Sequence, residues 1–151
     1  MRALGVDFGG RRVGLALSDA SGTLASPWRT LEHRGDDDAV ADDLAREITA
    51  LAAQDEGLAT VVLGRPARLD GRPTELTGRV TAFAARLRAR VRVPVILQDE
   101  RLSSREAESR LAGRERDWRK RKAKLDAAAA AVFLQDYLDE SRAAAPDATG
   151  D

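Results

Sequence analysis

The run Arg2-Ala3-Leu4-Gly5-Val6-Asp7-Phe8-Gly9-Gly10-Arg11-Arg12-Val13-Gly14-Leu15-Ala16-Leu17-Ser18 holds two short apolar stretches on either side of a glycine-bearing turn. Residues 2–8 and 12–18 read as strands, and Gly9, Gly10 and Arg11 between them read as the turn of a hairpin. A third strand over 23–31 extends the hairpin into an antiparallel meander. Downstream the period changes. Val40, Leu44, Ile48 and Leu51 form one stripe of an amphipathic helix that starts at Asp37, with acids on its other face and Gly57 as its C-terminal stop. Residues 60–64, Thr-Val-Val-Leu-Gly, are the continuous apolar run of a strand buried on both faces. Leu76, Val80, Phe83, Leu87 and Val91 repeat the helical stripe, and Pro94 opens a strand over 95–98. A helix from Ser103, a break at Gly113, a basic loop over 114–124 and a last helix over 125–140 complete the order. Strands separated by helices need parallel crossovers, so the expected fold is α/β, a mixed five-stranded sheet flanked by helices. The chain shows no internal repeat. It reads as a single domain over 1–138, followed by a disordered polar tail over 139–151 that contains Pro146 and Gly150.

Composition narrows the chemistry. Of 151 residues, 43% are apolar or aromatic, enough for one domain with its own core. Alanine accounts for 28 of them against 18 Leu and 10 Val, which points to helices packed closely on a flat surface. No stretch approaches the roughly 18 consecutive apolar residues of a membrane span, and Asp7 precedes any signal-peptide core. The expectation is a soluble, cytoplasmic protein with no membrane partner. With no Cys and a single His, thiolate zinc sites, disulfides, cysteine nucleophiles and His-rich metal sites are excluded. His33 lies in polar sequence and reads as a surface residue. Carboxylates, hydroxyls, Lys and Arg must carry any catalysis. The formal net charge is zero, yet the charge is segregated. Residues 36–56 hold eight acids and one base, whereas 101–124 hold ten bases and four acids. A pole of each sign suggests one face built for a polyanion.

Three places offer carboxylates. Asp7 ends the first strand between Gly5 and Gly9, where a ligand can approach closely, although Asp also caps turns. The same Asp-x-Gly pattern opens the phosphate loops of actin-like kinases and ATPases. Those enzymes close a cleft between two such domains, and this chain has residues for one. Asp99, Glu100 and Arg101 follow the last strand, at the carboxyl edge where open α/β sheets bind ligands, and could equally be a surface ion-pair cluster. Asp126 precedes five alanines, and a helix N-cap is its structural alternative. The alanines would let that helix lie against the sheet and bring its first turn beside the first strand. Carboxylates converging there would favour hard cations, Mg²⁺ or Mn²⁺. Two such ions about 4 Å apart can drive an in-line phosphodiester displacement. Ser18, Asp19, Ser103 and Ser104 also lie near this site by topology, although Ser103 reads better as a helix cap. The basic stretch, with Arg114, Arg116, Arg119, Lys120, Arg121 and Lys122 around Trp118, would hold a phosphate backbone and stack an unpaired base. Its alternatives are a solvated loop and an aromatic that anchors the loop to the domain.

Four motifs in order carry a family resemblance: Gly5-Val6-Asp7-Phe8-Gly9-Gly10-Arg11-Arg12-Val13-Gly14; Val62-Leu63-Gly64-Arg65-Pro66 with Asp70-Gly71; Asp99-Glu100-Arg101-Leu102-Ser103; and the segment from Asp126 to Leu134-Gln135-Asp136-Tyr137-Leu138. The chain resembles the YqgF family, whose members are named as Holliday junction resolvases or pre-16S rRNA nucleases. The resemblance implies a ribonuclease H-like fold, with Asp7, Glu100 and Asp126 as catalytic, metal-binding carboxylates. It further implies a metal-dependent nuclease acting on the 5′ end of the 16S ribosomal RNA precursor, in a bacterial cytoplasm. Arg11, Arg12, Arg65 and Arg101 join the basic stretch as candidate nucleic-acid contacts. Resolution of branched DNA and a non-catalytic nucleic-acid-binding module are the alternatives. RNA or DNA, and monomer or homodimer, stay open. Arg11 stands where Lys is commoner, Ser103 where Thr is common, and Ala67-Arg68 replace a polar pair.

Overall fold

The computed structural model describes residues 1–9, 11–65, 75–99 and 118–144, with the backbone alone described over 75–76, 118–125 and 143–144. Strands β1 (Arg2–Phe8), β2 (Arg12–Ser18), β3 (Ala25–Glu32), β4 (Leu58–Arg65) and β5 (Val95–Asp99) form one sheet in the order β3-β2-β1-β4-β5. The β1–β2 and β2–β3 pairs are antiparallel, and β1–β4 and β4–β5 are parallel. The sheet is therefore mixed and five-stranded, as the meander followed by β-α units requires. The helices are α1 (Asp37–Ala53), α2 (Glu75–Arg88) and α3 (Trp118–Ala144). The helix expected from Ser103 and the break at Gly113 lie outside the described residues, together with Glu100, Arg101, Arg114 and Arg116. Among the described residues no helix is long and apolar enough to cross a membrane.

Strand alternation sorts the inner strands into two faces. Leu4, Val6 and Phe8 of β1, Val13 and Leu15 of β2, and Val61 and Leu63 of β4 pack with Val40, Leu44, Ile48 and Leu51 of α1 and Val80, Phe83 and Leu87 of α2. Each fully buried large side chain in this layer contributes about 1.5–3 kcal/mol. The opposite face carries Ala3, Ala16 and Val62, which meet Ala130, Phe133, Leu134 and Leu138 of α3. Small residues keep this second layer thin. A Cβ built on Gly5 would lie 3.0 Å from the Ala130 carbonyl oxygen and 3.0 Å from the Leu134 Cβ.

Several boundaries differ from the sequence expectation, each for a physical reason. Strand β3 starts at Ala25 because the N–H groups of Thr23 and Leu24 donate to the Asp19 carboxylate, 2.8 and 3.2 Å away, and so belong to the turn. Helix α1 ends at Ala53, where the Gln54 N–H donates to the Leu51 carbonyl. Gly57, at φ 63°, instead closes the next turn through its N–H to the Gln54 carbonyl. Helix α3 begins at Trp118, so the stretch from Trp118 through Lys124 is helix and not loop. Arg, Lys and Ala are good helix formers, and a segment too charged to bury can still be helical. At its other end α3 runs to Ala144 and not only to Glu140, so the beginning of the expected tail is helical. There the Asp139 carboxylate accepts from the Gln135 amide and the Arg142 guanidinium, an i+4 and i+3 pairing.

The acids of α1 do not form a bare pole. Asp37 pairs with Arg79 at 2.7 Å, Asp38 with Arg86 and Arg90, and Asp42 with Arg90, so much of that charge is offset by α2. Glu47 likewise pairs with Arg29, and Glu56 with Arg2.

Candidate active site

The β1–β2 hairpin sets the position of Asp7. Alternation places Asp7 on the α3 face with Ala3 and Gly5, half-buried, and its antiparallel partner is Gly14. A Cβ on Gly14 would fall 2.2 Å from the Asp126 carbonyl oxygen, 2.3 Å from its carbon and 2.9 Å from the Ala127 nitrogen. The backbone of α3 at Asp126 thus rests directly on the residue paired with Asp7. This contact sets the Asp126 backbone beside the strand pair that carries Asp7. Asp126 lies inside α3, eight residues beyond Trp118, so neither the N-cap nor the first-turn role applies to it. Its Oδ2 accepts a 2.8 Å hydrogen bond from the Arg12 Nε, with about a quarter of each side chain exposed. Arg12, expected on nucleic acid, is therefore engaged inside the carboxylate site.

Asp99 ends β5 on the same sheet edge as Asp7, because β1, β4 and β5 run parallel. It is exposed and stands 3.9 Å from the Arg65 Nε, a surface pair of little energetic weight. Glu100 follows it outside the described residues. Among the described residues no group of three or more His, Cys, Asp or Glu side chains could hold a metal ion. Trp118, Arg119, Lys120, Arg121 and Lys122 occupy the first turns of α3, whose first turn contains no acid. Bases in the first turn meet the positive end of the helix dipole at a cost of some tenths of a kcal/mol each, which the good helix propensity of Arg and Lys offsets.

Ser18 and Asp19 sit elsewhere. Ser18 is buried at the far end of the hairpin, where its hydroxyl accepts from the Ala3 N–H at 2.7 Å. The Asp19 carboxyl is held below its ordinary range by the Thr23 and Leu24 N–H groups, which marks it as a turn organiser.

His33 departs most from expectation. The ring is half-buried and stacks on Phe8 at 5.9 Å between centroids, and Phe8 stacks in turn on Phe83 at 4.1 Å. Its Nδ1 accepts from the Gly35 N–H at 2.9 Å, which leaves Nε2 to donate to the Gly9 carbonyl 3.1 Å away. His33 therefore ties the end of β3 to the turn that follows Asp7. Its ring partner Phe8 is distant in sequence, and polar neighbours concealed the contact. The turn itself is tight: the Gly9 N–H donates to the Arg12 carbonyl at 2.9 Å, and a Cβ on Gly9 would come within 2.8 Å of that oxygen.

Comparison with known proteins places the chain in a family. The family model RuvX, described as Holliday junction resolvase, matches residues 1–140. A protein of Anaeromyxobacter dehalogenans (strain 2CP-C), named "Putative pre-16S rRNA nuclease", is 44% identical over 139 residues, covering 92% of this chain and 97% of that protein. A Geobacillus kaustophilus (strain HTA426) protein of the same name is 35% identical over 142 residues, covering 94% of this chain and all of the other. Among solved structures, Thermus thermophilus RuvC aligns with a TM-score of 0.54 at 15% identity, over 95% of this chain and 97% of that one. At that identity the likeness speaks for the fold alone, and the fold is ribonuclease H-like. A family match spanning the whole sheet and most of α3, together with relatives alike over nearly their full length, assigns the chain to the RuvX family, the YqgF family of the sequence reading.

Proposed function

We propose that this protein is a metal-dependent nuclease that hydrolyses phosphodiester bonds in 5′-end processing of the 16S ribosomal RNA precursor in the cytoplasm. The observation that carries the reading is the contact of the α3 backbone at Asp126 with Gly14, the strand partner of Asp7. Mere binding of nucleic acid gains nothing from acids gathered where a phosphate must approach. Carboxylate oxygens suit Mg²⁺ or Mn²⁺, so Asp7 and Asp126 fit such a site, with Glu100 as the third ligand that the resemblance supplies. When bound, a pair of ions supplies Lewis-acid stabilisation of the charge that develops on the phosphodiester. The chain's own residues do the positioning. Arg12 fixes the orientation of the Asp126 carboxylate, and Gly14 sets its height above the sheet. Arg119, Lys120, Arg121 and Lys122, with Arg101, Arg114 and Arg116, supply the positive charge for the backbone of the strand, and Trp118 a stacking face. His33 is no general base in this scheme, since both of its ring nitrogens are engaged by the backbone.

Branched DNA is a second reading, favoured by the description of the family model. Cleavage of matched single-stranded RNA, single-stranded DNA and four-way junctions in Mg²⁺ or Mn²⁺ separates the two. The expected result is chelator-sensitive cutting of the RNA that Asp7→Asn and Asp126→Asn both abolish, the melting temperature holding in Asp7→Asn, where neutralising one acid relieves repulsion, and falling in Asp126→Asn, which removes the partner of Arg12. Full activity of Asp7→Asn, or chelator-resistant cleavage, would overturn the mechanism. Preferential cutting of junctions would transfer the activity to branched DNA.

A further inference from the structure

A second charged feature lies across the β1–β2 turn from the carboxylates. Arg11, His33, Arg34, Gly35 and Arg79 line a cleft of about 490 Å³, within the range of about 300–1,000 Å³ typical of ligand sites. Arg79 is paired with Asp37 at 2.7 Å and set over the Phe8 ring with its guanidinium carbon 5.1 Å from the centroid. Arg11 and Arg34 are exposed, and among the described residues neither has a carboxylate partner. Most of the other described arginines do: Arg2, Arg12, Arg29, Arg46, Arg79 and Arg90 each bond an acid. The lining holds three guanidinium groups and no carboxylate, and the Asp37 partner of Arg79 offsets one of them. Like charges gathered without a counter-charge repel, and an anion would offset that cost.

We propose that this cleft is a phosphate subsite for the RNA strand, held by the guanidinium groups of Arg11 and Arg34 and adjoining the site of cleavage. The identity of the strand rests on the nuclease reading. The geometry of the turn links the two sites. Arg11 lines the cleft while Arg12, the next residue, bonds Asp126 on the opposite face of the sheet. A strand laid across the turn therefore meets the cleft on one side and the carboxylates on the other. His33 acts as a positioning residue. Its bonds to the Gly9 carbonyl and the Gly35 N–H hold the Arg11 and Arg34 segments together at a fixed width, and the His33 N–H to the Arg11 carbonyl, 2.9 Å, closes the same link in the backbone. Guanidinium forks favour phosphate oxygens in paired hydrogen bonds, which a solvated surface arginine does not need.

The test is binding of fluorescently labelled single-stranded RNA to the full chain by anisotropy, in chelator so that no cleavage occurs, over a series of salt concentrations. Arg11→Ala/Arg34→Ala should flatten the log-log salt slope by about 0.7, the value of one phosphate contact on a single strand. Arg92 is the control. It too is exposed and lacks a carboxylate partner among the described residues, but it precedes β5 at the opposite edge of the sheet, and Arg92→Ala should leave the slope unchanged. Equal melting temperatures for all three proteins are expected, since no removed group makes a described contact within the fold. An unchanged slope in the double variant, equal flattening by Arg92→Ala, or no binding by the wild type overturns the subsite. A protein that loses the slope as stated but never cleaves RNA retains the subsite and refutes the nuclease. One that cleaves with the slope intact does the reverse.

Discussion

Replacing Gly14 by alanine should separate the site from the fold. The added Cβ would meet the Asp126 carbonyl oxygen at 2.2 Å, whereas Cβ atoms essentially never approach a heavy atom within 3.0 Å. Relief needs at least the difference, 3.0 − 2.2 = 0.8 Å, and the obstructing atoms are helix backbone, which has no rotamer by which to yield. Helix α3 must therefore lift or slide at Asp126 by about an ångström. Overpacking of this kind costs about 1–3 kcal/mol, which a domain of this size shows as a fall of several degrees in melting temperature. The effect on catalysis should be larger. A shift near 1 Å stretches the 2.8 Å bond between Arg12 and Asp126 and moves one carboxylate relative to the other, and misplacement on that scale can cost about a hundredfold in rate. The assay is chelator-sensitive RNA cleavage alongside thermal melting of the same preparation. Gly14→Ala with wild-type cleavage would refute the claim that the contact sets the site, whatever its stability. A drop in melting temperature with cleavage reduced only in proportion to unfolded protein would refute it equally.

Gly78 provides the opposite case. It sits within α2, exposed, and a Cβ there meets nothing within 4 Å, so Gly78→Ala should stabilise by about 0.5–1 kcal/mol and raise the melting temperature by a few degrees without altering cleavage; a lower melting temperature would contradict this. The Asp37 carboxyl is held below its ordinary value of 3.8, first by the hydrogen bond from Arg79 and then by the charge of that guanidinium. A depressed carboxyl stabilises fully above its unfolded value and loses that contribution as pH falls through the folded one, so the α1–α2 pairing should weaken below pH 3.8. Asp37→Asn should lower the melting temperature at pH 7 by the equivalent of about 1 kcal/mol, given the partial exposure of Arg79, and by less at a pH well below 3.8. An equal deficit at both pH values would show that the pairing contributes nothing through charge.

What the sequence disclosed was local and periodic. The glycine-bearing turn, the Val40–Leu44–Ile48–Leu51 stripe and the continuous run in β4 each express a period of 2 or 3.6 within a few residues, and each became the expected element. Errors arose where one property stood in for another. The charge of residues 118–124 argues against burial but not against helix, since Arg and Lys propagate helices well in water. That error also placed Asp126 at a helix start and supplied a capping role it does not have. His33 eluded the reading for a different reason. Its partners Phe8 and Gly9 lie 25 and 24 residues away, and a stacked ring pair with a ring-to-carbonyl hydrogen bond leaves no pattern along the chain. The pairing of Asp37, Asp38 and Asp42 with Arg79, Arg86 and Arg90 was hidden likewise, since each helix showed only its own charges.

The small residues of the β1–β2 face explain how a fold can hold acids together. Two like charges at about 4 Å repel by about 4 kcal/mol at an effective dielectric constant of 20, so a site that gathers carboxylates needs adhesion from elsewhere. Phe133 and Leu134 are fully buried between α3 and the sheet, and each contributes about 1.5–3 kcal/mol, enough together to meet a repulsion of that size. That adhesion sits about two turns along α3 from Asp126. Nearer the site, side chains give way to bare backbone. Gly5 admits Ala130, Gly14 admits Asp126, and Arg12 offsets part of the negative charge. Adhesion and placement thus belong to different residues of the same helix. It follows that truncating Phe133 should loosen the whole helix and lower stability and cleavage together, whereas Gly14→Ala should lower cleavage by far more than its stability cost.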